Sequence, residues 1–163
     1  MYVFQTVVAA DKHENIFVLR VPPRGHNLSK HGATLLFDTV AHFFVGDLVV
    51  SLKLAETLSG HEYILAATVT GSIRAFLPLI SRKTLTLVQK LQSSLRVTIK
   101  ELLDRDHLAF RSYHLPCQGV IDGDLCNRFL SLPSSTQSTI SQSLGSNSDT
   151  VQRTLEELRS RIV

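Results

Sequence analysis

Two aspartates, Asp122 and Asp124, flank Gly123 in the string Val120-Ile121-Asp122-Gly123-Asp124-Leu125, and Asp104, Asp106 and His107 form an acidic cluster a short way upstream. Carboxylates grouped like this could hold a divalent cation. Such a site needs several more oxygen ligands at fixed offsets, and the EF-hand spacing that would supply them is absent. The spacing suits a different task. Two carboxylates in the first turn of a helix offset its exposed N–H groups and its dipole. We therefore expect Asp122 and Asp124 to open a short helix through Leu130 and to be structural.

The other chemistry-bearing side chains point the same way. Cys117 and Cys126 are nine positions apart and lack the CxxC or Cys/His pairing of zinc sites, so they read as isolated thiols of a reducing compartment. His114 stands near Cys117, but an extended segment directs it elsewhere. His26 and His31 share a loop without acidic or cysteine neighbours, as solvated residues do, and His42 lies inside a strand pattern, as a packed residue does. There is no GxSxG, no GxGxxG and no Walker loop. Tyr63, Tyr113 and the phenylalanines are not grouped with basic residues as in an RNA-stacking platform. No catalytic, cofactor-binding or metal residue is assigned and no cofactor is expected. A small metal-dependent enzyme using Asp122 and Asp124 is the alternative of another class.

The acidic cluster and the DGD string border a joint, 105–121, between two kinds of structure. Before it come six β-rich runs: 2–10, 16–21, 35–44, 48–54, 63–70 and 73–79. Asp11 to Asn15 reads as a hairpin loop, Pro22-Pro23-Arg24-Gly25 ends the second run, and Gly46-Asp47 and Gly71-Ser72 can take tight turns. The six runs predict an antiparallel meander, too apolar for a sheet open on one face. That is the packing of a blade stacked between other blades, and six strands make about one and a half four-stranded blades, which cannot close a ring.

From Ser81, a candidate N-cap, apolar residues recur at Leu85, Val88, Leu91, Leu95, Ile99 and Leu102, predicting a long amphipathic helix. Within the joint, alternation of Phe110, Tyr113 and Leu115 predicts a half-buried extended segment, turned by Pro116 and Gly119. After it, Pro133 at N1 starts a helix burying Ile140 and Leu144 and stopping at Gly145. Asn147 can cap another, in which Val151, Leu155, Leu158 and Ile162 form one apolar stripe suited to docking on a partner face. The Ser/Thr/Gln-rich stretch 134–143 keeps helical register and is read as helix.

The fold class expected is mainly β with C-terminal α: a partial β-propeller at 1–80 followed by a small helical domain at 81–163, containing the long helix, the joint and three short helices. The 163 residues, 44% hydrophobic, suffice for one core or a piece of a larger one. The net charge of +3 is concentrated at 81–111, which holds seven basic and three acidic side chains, including Arg82, Lys83, Lys90, Arg96 and Lys100. A solvated helix face accounts for it, with an acidic partner or nucleic acid as the alternative. The N-terminus has no basic lead and meets Asp11 early, and no apolar run is long enough to span a bilayer, so cytosol or nucleus is expected and no membrane partner.

The joint also carries a resemblance. Arg105-Asp106-His107-Leu108, Phe110-Arg111-Ser112-Tyr113 and Ile121-Asp122-Gly123-Asp124-Leu125-Cys126 resemble the C-terminal region of the three-propeller superfamily that includes splicing factor 3b subunit 3 and the large subunits of the damaged-DNA-binding complex and of the cleavage and polyadenylation specificity factor. The fuller string, Phe110 to Tyr113 with Cys126, is similar to the splicing branch in particular. So are Ala10-Asp11-Lys12, Arg20-Val21-Pro22-Pro23, Phe76-Leu77-Pro78 and Leu155-Glu156-Glu157-Leu158-Arg159. The family's acidic insertion after Pro-Pro is missing, and where it breaks the long helix with prolines this chain has Lys100-Glu101, so the helix is expected to run further or to meet the joint at another angle. The resemblance implies a non-catalytic nuclear scaffold of the splicing factor 3b complex in the U2 particle, supporting branch-site recognition. It implies as partners the helical-repeat subunit and the small subunits, with RNA contacted only indirectly. The ubiquitin-ligase adaptor and 3′-end-processing branches are the alternatives.

Overall fold

A computed structural model describes residues 6–21, 37–57, 60–100 and 105–162. Tyr2 to Gln5, the loop with Pro22, Pro23, His26 and His31, the first residues of the third run, Leu102 and Asp104 lie outside them. Among the described residues six strands form: β1 (Thr6–Ala10), β2 (Asn15–Arg20), β3 (Asp38–Phe44), β4 (Val49–Glu56), β5 (Glu62–Thr68) and β6 (Ile73–Phe76). They make two three-stranded antiparallel sheets, ordered β1-β2-β3 and β4-β5-β6, and not one continuous meander. The division falls at Gly46. Its φ of +80° makes a turn that Asp47 stabilises by accepting the Leu48 amide at 2.8 Å, but the chain leaves the turn into a new sheet. Mainly β with C-terminal helices is the architecture, consistent with part of a propeller.

Four α-helices follow: α1 (Arg82–Thr98), α2 (Gly123–Asn127), α3 (Ser134–Ser143) and α4 (Ser148–Ser160). Ser81 caps α1 through its hydroxyl, which accepts the Thr84 amide at 3.4 Å. No proline follows, yet α1 stops at Thr98, with Ile99 already extended at φ −96°, ψ 111°. The β-branched run Val97-Thr98-Ile99 supplies the reason, since stiff χ1 rotamers crowd the preceding turn. The expectation that α1 runs past Ile99 is therefore corrected. Pro133 is the N-cap of α3, not its first helical residue, and Asn147 occupies the N-cap of α4 without a side-chain bond. In α3, Ser138 and Thr139 donate to the carbonyls of Ser134 and Ser135 at 2.9 and 3.0 Å, so these two hydroxyls are satisfied by the helix itself.

The described residues gather into two compact units. The first draws on Met1–Leu52, Ala66–Ile73 and Leu108–Val120, so the greater part of the joint belongs with β1-β2-β3. Its sheet pairs Ala10 with Ile16 and Thr6 with Arg20 across one ladder, and Asn15 with Phe44 across the next, with a bulge between Val18 and Leu19. Ile16, Ala41, Phe43 and Val45 are buried in it. The second draws on Lys53–Leu65, Arg74–His107 and Ile121–Val163. Its core is Val88, Leu91 and Leu95 of α1 against Leu125, Cys126, Phe129, Ile140, Val151 and Leu155. On the sheet β4-β5-β6, Val50, Leu54 and Ile73 stay 60%, 68% and 70% exposed. Uncovered apolar side chains on strands are what an open sheet face leaves behind.

Candidate functional site

Within the first unit the joint is built onto β3. Residues His107–Arg111 form a 3-10 helix, not the extended strand expected from Phe110 onward, and Phe110 is partly exposed. Arg111 lies over the Phe43 ring, 5.2 Å from its centroid. Ser112 Oγ donates to Leu108 O at 2.8 Å and accepts the Cys117 amide at 3.1 Å, closing the turn that follows. Tyr113 stacks on Phe44 at 5.3 Å, and its carbonyl accepts the Leu115 amide at 2.8 Å around His114, whose φ is +63°. That three-residue turn has the strained hand, with the Tyr113 and His114 rings 4.1 Å apart over it. Gln118 then pairs with His42 by two backbone bonds, 2.8 and 3.0 Å, an isolated antiparallel bridge on the edge of the three-stranded sheet.

The reason the chain can come this close is Gly119. Its φ is +65°, and a Cβ there would stand 2.2 Å from Val40 O and 3.1 Å from Ala41 Cα. His42, correctly read as packed, is buried between Pro116 O and Asn15 Oδ1.

Within the second unit Asp106 makes a two-pronged pair with Arg96, whose Nε donates to Asp106 Oδ1 at 2.9 Å. Hydrogen bonding to that carboxylate holds the Arg96 guanidinium above its ordinary value. Asp122, 6% exposed, is the N-cap of α2: its Oδ1 accepts the amides of Asp124 and Leu125 at 3.0 and 3.4 Å. Its Oδ2 lies 2.7 Å from His107 Nε2, and its own amide donates to Gln92 Oε1 at 2.7 Å. Asp124 turns to Arg74 at 3.4 Å and is exposed. The two carboxylates of the DGD string therefore serve separate partners. Among the described residues no three His, Cys, Asp or Glu side chains converge on a point where an ion could sit.

Ile121 packs against the helical core and Leu125 is inside it. Nothing within 4 Å of Gly123 requires a glycine there. Arg105 lines a shallow recess of about 520 Å³ with Ser93, Arg96 and Lys100. Burial, aided by the Asp122 charge, pushes the Cys126 thiol up to about 12, which leaves it no thiolate to act as a nucleophile near neutral pH. Cys117 is not in a disulfide and is partly exposed. In the C-terminal stripe, Val151 and Leu155 are buried in the chain's own core, Leu158 packs against it and Ile162 is half-buried.

Asn15, Gln92 and Gln137 are among the buried polar side chains that escaped the sequence reading. Asn15 accepts from or donates to Asp11, His13 and His42; Gln92 holds the Asp122 amide; and Gln137 donates to Phe129 O at 2.9 Å while accepting from Gln152 Nε2 at 2.9 Å. The available signal was position. Gln92 directly follows Leu91 and Gln137 stands three before Ile140, each within reach of an apolar helix face.

Residues 2–131 match the family described as CPSF A subunit region. The chain belongs to that family. Among relatives of this CPSF A region, the probable splicing factor 3B subunit 3 of Dictyostelium discoideum is 39% identical over 97% of this chain. The pre-mRNA-splicing factor RSE1 of Mycosarcoma maydis is 36% identical over 96%, and prp12 of Schizosaccharomyces pombe 33% over 97%. The resemblance carried by the joint is thus shown along nearly the whole chain. This chain spans 14% of the length of each of these relatives. Among the described residues no helix is long and apolar enough to cross a membrane.

The capping geometry sets an expected result. Asp122→Ala removes a cap, worth about 1 kcal/mol, and leaves His107 facing an apolar gap, which adds about 2 kcal/mol. A loss near 3 kcal/mol in urea unfolding is expected, larger than a cap alone gives. A loss under about 0.5 kcal/mol, the range of an ordinary surface change, would show that neither interaction matters.

Proposed function

We propose that this chain is a C-terminal scaffold piece of a splicing factor 3b subunit 3-like protein. It is non-catalytic and nuclear, and it serves the U2 particle in branch-site recognition. In this reading residues 1–80 are closing propeller blades and 81–163 a helical domain, with 108–120 returned to the sheet. The observation that carries it is the use made of the family string. Arg111 covers Phe43, Ser112 closes a turn, Tyr113 stacks on Phe44, Asp122 caps α2 and Leu125 fills the core. Residues spent on packing and capping build a rigid support and leave no group poised for reaction. Partners are the helical-repeat subunit and the small subunits of the complex, with RNA reached through them.

The docking face runs along α4 through Leu158 and Ile162, the members of the apolar stripe not buried inside. Tagged chain incubated in nuclear extract is expected to recover splicing factor 3b subunits, identified by mass spectrometry. Leu158→Asp should lower that recovery, while Arg159→Glu and Arg161→Glu should leave it near the parent level, because an exposed ion pair contributes only about 0–1 kcal/mol. Recovery of ubiquitin-ligase or 3′-end-cleavage subunits instead would assign the chain to another branch of the superfamily. Loss on charge reversal with Leu158→Asp tolerated would replace the apolar face by an electrostatic one.

A further inference from the structure

His42 is 2% exposed, and both of its ring nitrogens face oxygen. Nδ1 lies 3.1 Å from the Pro116 carbonyl and Nε2 3.2 Å from Asn15 Oδ1. The Asn15 amide cannot be turned round. Its Nδ2 donates to Asp11 Oδ2 at 3.0 Å, to Asp11 Oδ1 at 3.2 Å and to His13 O at 3.1 Å, all of them acceptors, so the oxygen is the end left for the imidazole. A neutral imidazole has one N–H and would set its other nitrogen, lone pair to lone pair, against a buried oxygen. An imidazolium has two N–H groups and satisfies both.

From this arrangement we infer that His42 is held as the imidazolium when the joint lies on β3, and that its second proton is a latch between residues 116–118 and the sheet. Three bonds tie this residue to the joint: the two backbone bonds to Gln118 and the ring bond to Pro116. Losing the proton breaks or reverses one ring contact and weakens the hold on the joint.

An anion stands one hydrogen-bonded residue away from the ring. Asp11 reaches His42 through Asn15, whose amide turns its oxygen to the ring and its nitrogen to the carboxylate. Burial pushes the Asp11 carboxyl up, but hydrogen bonds from Asn15 and His13 outweigh that and hold it below the usual carboxylate range, so it is an anion at neutral pH. The other titratable or charged groups on the packed elements are Lys12, His13 and Glu14 in the β1–β2 turn, Arg20 at the end of β2, Asp38 at the start of β3, and Arg111, Tyr113, His114 and Cys117 in the joint. Among the described residues, Asp11 is the charged group joined to His42 by a chain of hydrogen bonds. The direction follows from linkage: a proton bound in the latched form and lost on release makes the latch strong at low pH and weaker as pH rises through the imidazolium's titration. Asp11 takes up its proton only in acid, outside that window.

The test is nitrogen NMR of the histidine rings in the 163-residue chain, run alongside hydrogen exchange of the Gln118 amide across pH. Both ring nitrogens of His42 should carry protons at neutral pH. As His42 deprotonates, Gln118 exchange should quicken by about tenfold beyond the base-catalysed trend, the effect of one lost buried hydrogen bond. Asp11→Asn keeps the acceptor for the Asn15 amide and removes the charge, so it should move both transitions together to lower pH. A single-proton tautomer of His42 at neutral pH overturns the inference, and so does Gln118 exchange that follows base catalysis alone.

Discussion

Replacing Gly119 by alanine is expected to remove most of the stability of the sheet unit. Two effects add. A non-glycine residue held at a left-handed φ costs about 1–2 kcal/mol. The new Cβ would stand 2.2 Å from Val40 O, and the atoms in the way are backbone, so relief requires the joint to lift from β3. Overpacking of that kind costs about 1–3 kcal/mol and here also stretches the two His42–Gln118 bonds. A total of about 2–5 kcal/mol is a large share of the 5–15 kcal/mol typical of a folded domain. Urea unfolding followed by tyrosine fluorescence, which reports Tyr113 on Phe44, would measure it. A Gly119→Ala chain within about 1 kcal/mol of the parent would mean that the joint does not rest on the strand.

Phe129→Ala is expected to do comparable damage to the helices. Phe129 is 0% exposed, on the 3-10 turn Arg128–Ser131 that follows α2, and it is the largest of the fully buried side chains. It shares the core with Leu91, Leu95, Leu125 and Val151. Truncating a buried phenylalanine costs about 3–5 kcal/mol, part transfer and part cavity. The carbonyl of the same residue accepts from Gln137 Nε2 and from the Leu132 amide, so collapse around the cavity would also disturb the start of α3. Circular dichroism at 222 nm during thermal melting should show the helical transition moved down sharply, with Phe129→Leu recovering part of the shift. An unmoved transition would deny that the four helices share one core.

Which features could be foreseen follows from the distance over which their signals act. The N-cap at Ser81, the apolar face of α1 and the cap at Asp122 depend on residues within one or two turns, and each stands where the sequence placed it. The early end of α1 was also local, written in Val97-Thr98-Ile99, but a missing proline distracts from it. By contrast, Gly46 turns the chain equally well into a hairpin or into a second sheet, so the split of the strands was not legible at that position. His107 with Asp122, Gln92 with the Asp122 amide and His42 with Pro116 join residues 15, 30 and 74 positions apart. No periodicity reports a partner at such range. The apolar stripe Val151, Leu155, Leu158 and Ile162 was legible as a stripe, whereas the share of it that its own helices would bury was not.

The position of Gln118 on β3 has a consequence for how the protein is made. The free edge of β3 opposite β2 is covered by a piece of chain about 74 residues further on. At about 5–20 residues per second, a ribosome exposes that edge for roughly 4–15 s before its cover is synthesised. During that interval the strand offers unpaired N–H and C=O groups to any other nascent chain. A transcript cut short between the codons for Phe44 and Gln118 would make the exposure permanent, so truncated products are expected in aggregates or bound to chaperones and not free in solution.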